Sequence, residues 1–272
     1  MQTITEIQSL LNARGLAPRR RLGQNFLHDH NQLRRLVAAA EIQPHELILE
    51  VGPGTGTLTE ALLEADAHVI ACELDPGLGD LIAERFEDRI TLVRGDCLER
   101  GRRLAAELTS HLGERPFKLV ANLPYQVASA LMIELLIHHP NCCGQYITIQ
   151  REVGDRLVAH PGTKERGPLG IIASSFADVD RIGVVPASCF WPQPKVVSAM
   201  VSLIPKDTPQ LHDRTRYARF ITELFAARRK QLGRILGRDR QMPAGIDPSW
   251  RPEVLTNEQL LQLYAWTDVD DA

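Results

Sequence analysis

The sequence lacks the features of a membrane or secreted protein. No apolar run in its 272 residues approaches the roughly 20 that a membrane-spanning helix needs. Residues 1–14 include an acidic residue and lack the apolar core of a secretion signal. The five cysteines form no Cys-x-x-Cys pair, a pattern typical of reduced thiols in the cytoplasm. We therefore expect a cytoplasmic protein without a membrane segment.

A convergent set of metal ligands is also missing. His28-Asp29-His30 looks like a ligand cluster, but no further ligands follow it at the spacing of a metal site. A polar turn before a helix is the better interpretation, and we expect no metal.

The net charge gives little support for a nucleic-acid partner, but the distribution of the charged residues along the chain supports one. The chain carries −3 overall, with a pI of about 6.3. Residues 214–240 nevertheless contain nine Lys/Arg against two acids, or 9 − 2 = +7. A second basic segment, residues 14–35, includes Arg19-Arg20-Arg21 and has Asp29 as its one acid. Both patches suit a polyanion, and either one alone is equally compatible with a solvated surface.

Short apolar runs alternate with helical patterns over most of the chain. The helical patterns cover residues 58–65 and 79–86, and the apolar runs cover residues 46–51, 68–72, 90–93, 117–121, 145–149, 181–185 and 198–204. This alternation predicts an α/β fold with a mostly parallel seven-stranded sheet and helices on both faces. The pattern becomes helical after a link at Thr208-Pro209. We predict one domain over residues 1–205 and a small helical domain over 206–272.

A glycine turn follows the first of these strands, in Glu50-Val51-Gly52-Pro53-Gly54-Thr55-Gly56. Glycines let the backbone approach a ligand closely, and the next helix presents unpaired amides. The dinucleotide fingerprint needs a further glycine where this chain has Thr57. The turn therefore predicts a nucleotide cradle and disfavours a nicotinamide dehydrogenase.

Polar side chains end the next three strands of the predicted sheet. Glu73 ends the second strand, Asp96 the third and Asn122 the fourth. An acid at the first position reaches ribose hydroxyls, and a carboxylate at the second accepts from an adenine amino group. Each acid alone is compatible with a helix cap or a surface charge. Together, at one edge of the sheet, they favour a bound nucleoside.

Asn122-Leu123-Pro124-Tyr125 is the most informative motif. Proline makes the preceding residue extended, so the Leu123 carbonyl faces outward as an acceptor beside the Asn122 side-chain oxygen. Two acceptors suit both hydrogens of an exocyclic amino group. Tyr125 offers a stacking face worth roughly 1–3 kcal/mol. In the proline-rich loop 190–196, Phe190 either closes the opposite face of that base or packs on the core.

These motifs resemble the bacterial 16S ribosomal RNA adenine N6-dimethyltransferases. The matching segments are residues 23–27, 50–56, 73–75, 95–96, 122–125, 190–196 and 225–230. The resemblance implies a Rossmann-like methyltransferase domain that uses S-adenosyl-L-methionine. It also assigns the site residues: Asn25, Leu27, Gly52, Gly54, Glu73, Asp96 and Asn122 for the cofactor, Asn122, Leu123, Pro124, Tyr125 and Phe190 for catalysis, and Arg228, Arg229 and Lys230 for RNA, to which the basic patch adds Arg19, Arg20 and Arg21.

The implied substrate is a pair of adjacent adenosines in the 3′-terminal hairpin loop of 16S rRNA, each methylated twice at N6. The implied partner is the assembling small ribosomal subunit, and we expect a monomer. The chain departs from the family pattern at Gln126, Arg166 and Val197. Two alternatives are a 23S rRNA adenine methyltransferase and a ribosome-assembly or transcription factor that keeps the fold without catalysis.

Overall fold

The computed structural model describes residues 2–208, 211–237 and 240–270. Pro209 of the predicted link, and Arg238 and Asp239 of the basic stretch, lie outside these ranges. Within them, no helix is both long and apolar enough to cross a membrane.

Strands and helices alternate along the chain. The strands are β1 (Phe26–Leu27), β2 (Leu47–Val51), β3 (His68–Glu73), β4 (Ile90–Arg94), β5 (Phe117–Asn122), β6 (Cys142–Gln150), β7 (Ala177–Val185), β8 (Phe190–Trp191) and β9 (Ser198–Pro205). The helices are α1 (Ile4–Asn12), α2 (His30–Ala39), α3 (Thr57–Glu64), α4 (Pro76–Phe86), α5 (Ala106–Leu112), α6 (Ala128–His138), α7 (Arg151–Leu157), α8 (Pro168–Phe176), α9 (Arg214–Ala226), α10 (Leu232–Leu236) and α11 (Asn257–Asp270).

The main sheet has seven strands in the order β4-β3-β2-β5-β6-β9-β7. The pairs from β4 through β6 are parallel, and β9 pairs with β6 antiparallel. The predicted seven-stranded, mostly parallel sheet is therefore confirmed. The chain proceeds outward from β2 on one side and from β5 on the other, so strand order reverses between them. Ligands of open α/β sheets bind beside such a reversal, at the carboxyl ends of the strands.

The helix α2, which begins at His30, confirms the interpretation of His28-Asp29-His30 as a polar turn before a helix. The Asp29 carboxylate caps α2, because its Oδ1 accepts hydrogen bonds from the backbone amides of Asn31 and Gln32, both at 3.0 Å. These bonds satisfy two of the free amides at the start of a helix.

The chain divides into two compact units. The first comprises Met1–Gly154 with Val179–Pro205, and the second Asp155–Asp178 with Lys206–Ala272. The second unit thus adds residues 155–178 to the predicted 206–272. Its packing explains the addition: the Phe176 ring of α8 meets the Tyr217 ring of α9 edge-on at 5.9 Å, and the Tyr217 hydroxyl lies 3.1 Å from Ser175 Oγ.

Arg166, one of the departures from the family pattern, has a structural role in the second unit. Its side chain is buried, and burial lowers the pKa of the guanidinium. It donates to the carbonyl of Leu255 at 3.0 Å and to Asn257 Oδ1 at 2.8 Å. The guanidinium therefore joins the turn before α8 to the start of α11 and is not exposed to an RNA partner.

Candidate active site

The glycine turn after β2 lies where the sheet reverses direction. Gly52, Gly54 and Gly56 all have positive φ, at +73°, +63° and +86°, a region that residues with a Cβ rarely adopt. A Cβ on Gly54 would lie 2.9 Å from the Phe26 ring, and one on Gly52 3.2 Å from Pro124. These positions must therefore be glycine, without a Cβ, so that the N-terminal segment and the Asn122–Tyr125 tetrapeptide can approach the turn.

Glu73, at the end of β3, holds this turn. Its Oε2 accepts from the Gly54 amide at 3.2 Å, and its Oε1 accepts from the Asp75 amide at 2.8 Å. The residue is 6% exposed, and burial raises the pKa of its carboxyl to about 7 although both amides favour the charged form. Protonation of Glu73 is therefore finely balanced at neutral pH.

Glu50 is a second buried acid beside the turn. Its Oε2 accepts from the Thr59 hydroxyl at 2.7 Å. Burial, and to a smaller extent the charge of Glu73, raise the pKa of Glu50 to about 8. Both buried acids therefore stay protonated to a higher pH than an exposed glutamate would.

A cavity of about 380 Å³ opens at this edge of the sheet. Its wall contains every residue predicted for cofactor binding and catalysis, namely Asn25, Leu27, Gly52, Gly54, Glu73, Asp96, Asn122, Leu123, Pro124, Tyr125 and Phe190. The structure thus brings together residues from six separate segments of the sequence. Their individual roles stay predictions.

Asn122 is oriented by the N-terminal segment. Its Nδ2 donates to the Asn25 carbonyl at 3.1 Å, and Asn25 Nδ2 donates to the Gly23 carbonyl at 3.0 Å. Because the amide nitrogen is engaged, the amide group is turned so that Oδ1 remains as an acceptor. Within the described ranges Oδ1 receives no hydrogen bond, and it belongs to a residue of the cavity wall.

The rest of the tetrapeptide is fixed by β6 and β9. The Leu123 amide donates to the Thr148 carbonyl at 3.1 Å, and no described donor reaches the Leu123 carbonyl. The Tyr125 hydroxyl lies 2.9 Å from Ser198 Oγ. Burial raises the pKa of this phenol, which therefore stays protonated at neutral pH. The contact with Ser198 fixes the Tyr125 ring at its hydroxyl end, and a fixed ring suits a stacking surface.

A short antiparallel ribbon carries Phe190 to the cavity. β1 pairs with β8, which sets Leu27 opposite Phe190 and Phe26 opposite Trp191. Phe190 is 3% exposed and packs in a hydrophobic cluster with Leu27 and Leu33. Core packing, one of the two interpretations of this ring, is thus observed. Phe190 also lines the cavity, where it could contact a base. That contact stays a prediction.

Asp96 lies two residues beyond the strand that it was predicted to end. β4 ends at Arg94, because Gly95 turns the chain with φ +137° and Asp96 begins the following loop. Asp96 Oδ1 accepts from the Leu98 amide at 3.0 Å. The second carboxylate oxygen remains as an acceptor beside the cavity.

Several residues of the cavity wall were not predicted from the sequence, and three of them have surroundings that fit a ligand. Thr55 and Thr57 are buried, and neither hydroxyl has a hydrogen-bond partner within the described ranges. Buried hydroxyls without partners are uncommon in proteins, so these two fit a polar ligand. Leu74 is 49% exposed and adds apolar surface. In the sequence, these hydroxyls are indicated by Thr55 within the glycine turn and Thr57 directly after it.

The predicted RNA-binding residues differ in their surroundings. Arg19 is engaged by Asp75, with Nη1 at 3.2 Å from Oδ2, whereas Arg20 and Arg21 are exposed. The departure at Gln126 has a local role, because its Nε2 donates to the Arg21 carbonyl at 3.2 Å.

In the second unit, Arg228, Arg229 and Lys230 are all exposed after α9. Arg229 and Lys230 line a concavity of about 420 Å³ together with Arg234 and Arg251. Contact of either basic group with RNA stays a prediction.

Solved structures and relatives match most of the chain. A dimethyladenosine transferase from Plasmodium falciparum superposes with a TM-score of 0.75 at 24% identity, over 90% of this chain and 98% of that one. The 23S rRNA methyltransferase ErmE gives a TM-score of 0.68 at 25% identity, over 90% of this chain and 100% of that one. Both confirm the predicted fold.

The sequence relatives are more similar. Ribosomal RNA small subunit methyltransferase A of Syntrophotalea carbinolica is 36% identical over 257 residues, 90% of this chain and 95% of that protein. The protein of the same name from Prosthecochloris aestuarii is 39% identical over 217 residues, 80% of each chain. Residues 15–268 match the family model for Ribosomal RNA adenine dimethylase. The chain therefore belongs to the ribosomal RNA adenine dimethylase family.

Proposed function

We propose that this protein transfers methyl groups from S-adenosyl-L-methionine to the N6 amino groups of two adjacent adenosines in the 3′-terminal hairpin loop of 16S rRNA. The oriented Asn122 amide carries the proposal, because its engaged Nδ2 leaves Oδ1 as an acceptor at the cavity. An acceptor beside the Leu123 carbonyl suits the two hydrogens of an amino group. The family and the small-subunit names of the relatives support the choice of RNA.

The cavity fits the proposed cofactor in the chemistry of its wall. Glu73 offers a carboxylate to ribose hydroxyls, Asp96 an oxygen to the adenine amino group, and Leu74 an apolar surface. The unpartnered hydroxyls of Thr55 and Thr57 fit a further polar part of the ligand. Asn25, Leu27, Gly52 and Gly54 complete the proposed site. When bound, S-adenosyl-L-methionine supplies an electrophilic methyl group on its sulfonium.

Catalysis would rest mainly on positioning. The adenine amino lone pair is delocalised into the ring, which makes the nitrogen a poor nucleophile. Hydrogen bonds to Asn122 Oδ1 and the Leu123 carbonyl localise that pair on nitrogen and aim it at the methyl group. Methyl transfer would place a positive charge on the nitrogen, which Asn122 Oδ1 and the Leu123 carbonyl would stabilise until a proton leaves to solvent. No side chain has to act as a general base before attack.

The target base must leave its stack before it reaches these acceptors. Unstacking costs a few kcal/mol, and stacking on an aromatic face offsets part of that cost. Tyr125, held by Ser198, and Phe190, held by the β1–β8 ribbon, are the proposed contacts. Pro124 disfavours a helical conformation at Leu123.

Exposed cations would hold the RNA. We assign this role to Arg19, Arg20 and Arg21 in the first unit and to Arg228, Arg229 and Lys230 in the second. Arg19 would contribute least, since Asp75 already engages it. The proposed partner is the assembling small ribosomal subunit, which the protein would meet as a monomer in the cytoplasm.

A second candidate is methylation of 23S rRNA. The match to ErmE over 90% of this chain favours it. The higher identity to two relatives named for the small subunit favours 16S rRNA. A factor without catalysis is disfavoured, because the bond from Asn122 Nδ2 leaves Oδ1 as an acceptor at the cavity, which supports a role in holding an amino group.

Methyl transfer to isolated ribosomal subunits tests the proposal. Labelled cofactor is mixed with unmethylated small subunits or with large subunits, and the modified bases are mapped by primer extension. We expect label at two adjacent adenosines of the small subunit. Label confined to the large subunit would support the 23S alternative, and a protein that binds cofactor but labels neither would support the non-catalytic one.

A further inference from the structure

The loop between β4 and α5 forms one wall of the cavity. Cys97, Leu98, Glu99 and Arg102 all line it. The loop is closed on itself, because the Ala105 amide donates to the Cys97 carbonyl at 2.9 Å and Leu98 pairs with Leu104 in an isolated β-bridge. Its shape therefore affects what the cavity can hold.

One buried carboxylate outside the cavity wall fastens this loop. Glu134, on α6, is 6% exposed. Its Oε1 accepts a hydrogen bond from the Leu104 amide at 3.2 Å and forms an ion pair with Arg103 Nε, also at 3.2 Å. His138 and His139 also approach the carboxylate, with Nε2 at 3.8 Å and 3.5 Å from its nearest oxygens. Burial lowers the pKa of both histidines, so at pH 7 Arg103 supplies the permanent positive charge.

The contacts continue from this anchor to Asp96. Glu134 holds Leu104, Leu104 pairs with Leu98, and the Leu98 amide donates to Asp96 Oδ1 at 3.0 Å. The bond to Leu98 occupies one carboxylate oxygen and leaves the other as an acceptor. Asp96 itself is exposed, with no ion-pair partner among the described residues. Its orientation thus depends on the loop that Glu134 fastens.

We propose that Glu134 is a positioning residue for the cofactor site. It holds loop 97–105 in the shape that directs the second Asp96 oxygen toward the 6-amino group of the cofactor's adenine. The inference rests on the proposed function, which assigns that amino group to Asp96. Nothing in the sequence marked Glu134, which lies in an apolar helix 38 residues beyond Asp96 (134 − 96 = 38).

Calorimetric titration of the full chain with two ligands tests the inference. One ligand is S-adenosylhomocysteine, and the other is its purine analogue without the 6-amino group. Glu134→Gln removes the charge that holds Arg103 while nearly preserving the side-chain volume. Glu64→Gln, at an exposed acid of α3, is the matched control. Binding of the first ligand by the wild-type chain tests the proposed function separately.

We expect Glu134→Gln to weaken S-adenosylhomocysteine binding about fivefold and to weaken the analogue less than about twofold, because coupled groups show non-additive losses. Glu64→Gln should change neither. Equal losses for both ligands, or unchanged affinity in the folded variant, would overturn the inference, since a general packing defect does not distinguish the ligands. If Glu134→Gln fails to melt cooperatively, Arg103→Ala applies the same comparison through the half-exposed partner.

Discussion

Cofactor affinity should depend on pH through Glu73. Its folded pKa of about 7 lies above the ordinary 4.5 because the carboxyl is buried. Ribose hydroxyls that donate to the carboxylate bind its ionised form, so ligand binding lowers this pKa and affinity rises with pH. A pKa of 7 gives an ionised fraction of about 0.9 at pH 8 and about 0.1 at pH 6. The dissociation constant should therefore be about tenfold higher at pH 6 than at pH 8.

Calorimetric titration with 5′-methylthioadenosine at pH 6, 7 and 8 measures this effect. The ligand keeps the ribose hydroxyls but lacks the amino acid part, so it contributes no titrating group of its own. Buffers with different ionisation enthalpies report the protons released on binding, which should approach one per site at pH 6.

Two variants assign the pH dependence to its source. Glu73→Gln should bind weakly at every pH and remove the slope, whereas the exposed-site control Glu64→Gln should keep it. A wild-type dissociation constant that stays within about twofold from pH 6 to pH 8 would refute the reasoning. A slope that persists in Glu73→Gln would assign the proton to another group, with Glu50 the first candidate.

Three further predictions concern catalysis, RNA binding and stability. Asn122→Ala should lower kcat for methyl transfer at least about 100-fold, as expected when an oriented polar partner is lost, while thermal melting stays cooperative; near-wild-type labelling of small subunits would contradict the mechanism. Arg228→Glu combined with Arg229→Glu should weaken subunit binding in a filter assay at low salt and leave cofactor affinity unchanged; unaltered subunit binding would argue against the basic-patch assignment. Glu50 has a folded pKa of about 8, so the stability of its neutral form is present below pH 4.5 and is lost as pH rises toward 8. Glu50→Gln should therefore raise Tm by several degrees at pH 8.5 and little at pH 5, and an equal change at both pH values would show that burial of the charge is not the cause.

The sequence by itself determined the sheet and the composition of the site. All seven strands of the main sheet were predicted, because apolar runs between polar turns indicate strands. The central strands β2 and β3 are buried on both faces, as uninterrupted apolar runs indicate. The predicted positions of Glu73 and Asn122 at the ends of their strands are confirmed as well. Since parallel strands share one carboxyl edge, their terminal residues had to meet there, and the cavity wall contains them.

Only the tertiary structure decided how these groups are held. The orientation of Asn122 depends on a bond to Asn25, 97 residues away along the chain. The two-residue strands β1 and β8 are too short for any periodic pattern, and their pairing alone carries Phe190 to the cavity. Residues 155–178 belong to the second unit through packing that no local composition records.

The protonation of Glu73 and the roles of Arg166 and Glu134 likewise follow from burial and from long-range partners. A sequence pattern reports local preference, whereas desolvation and contact depend on which distant segments surround a side chain.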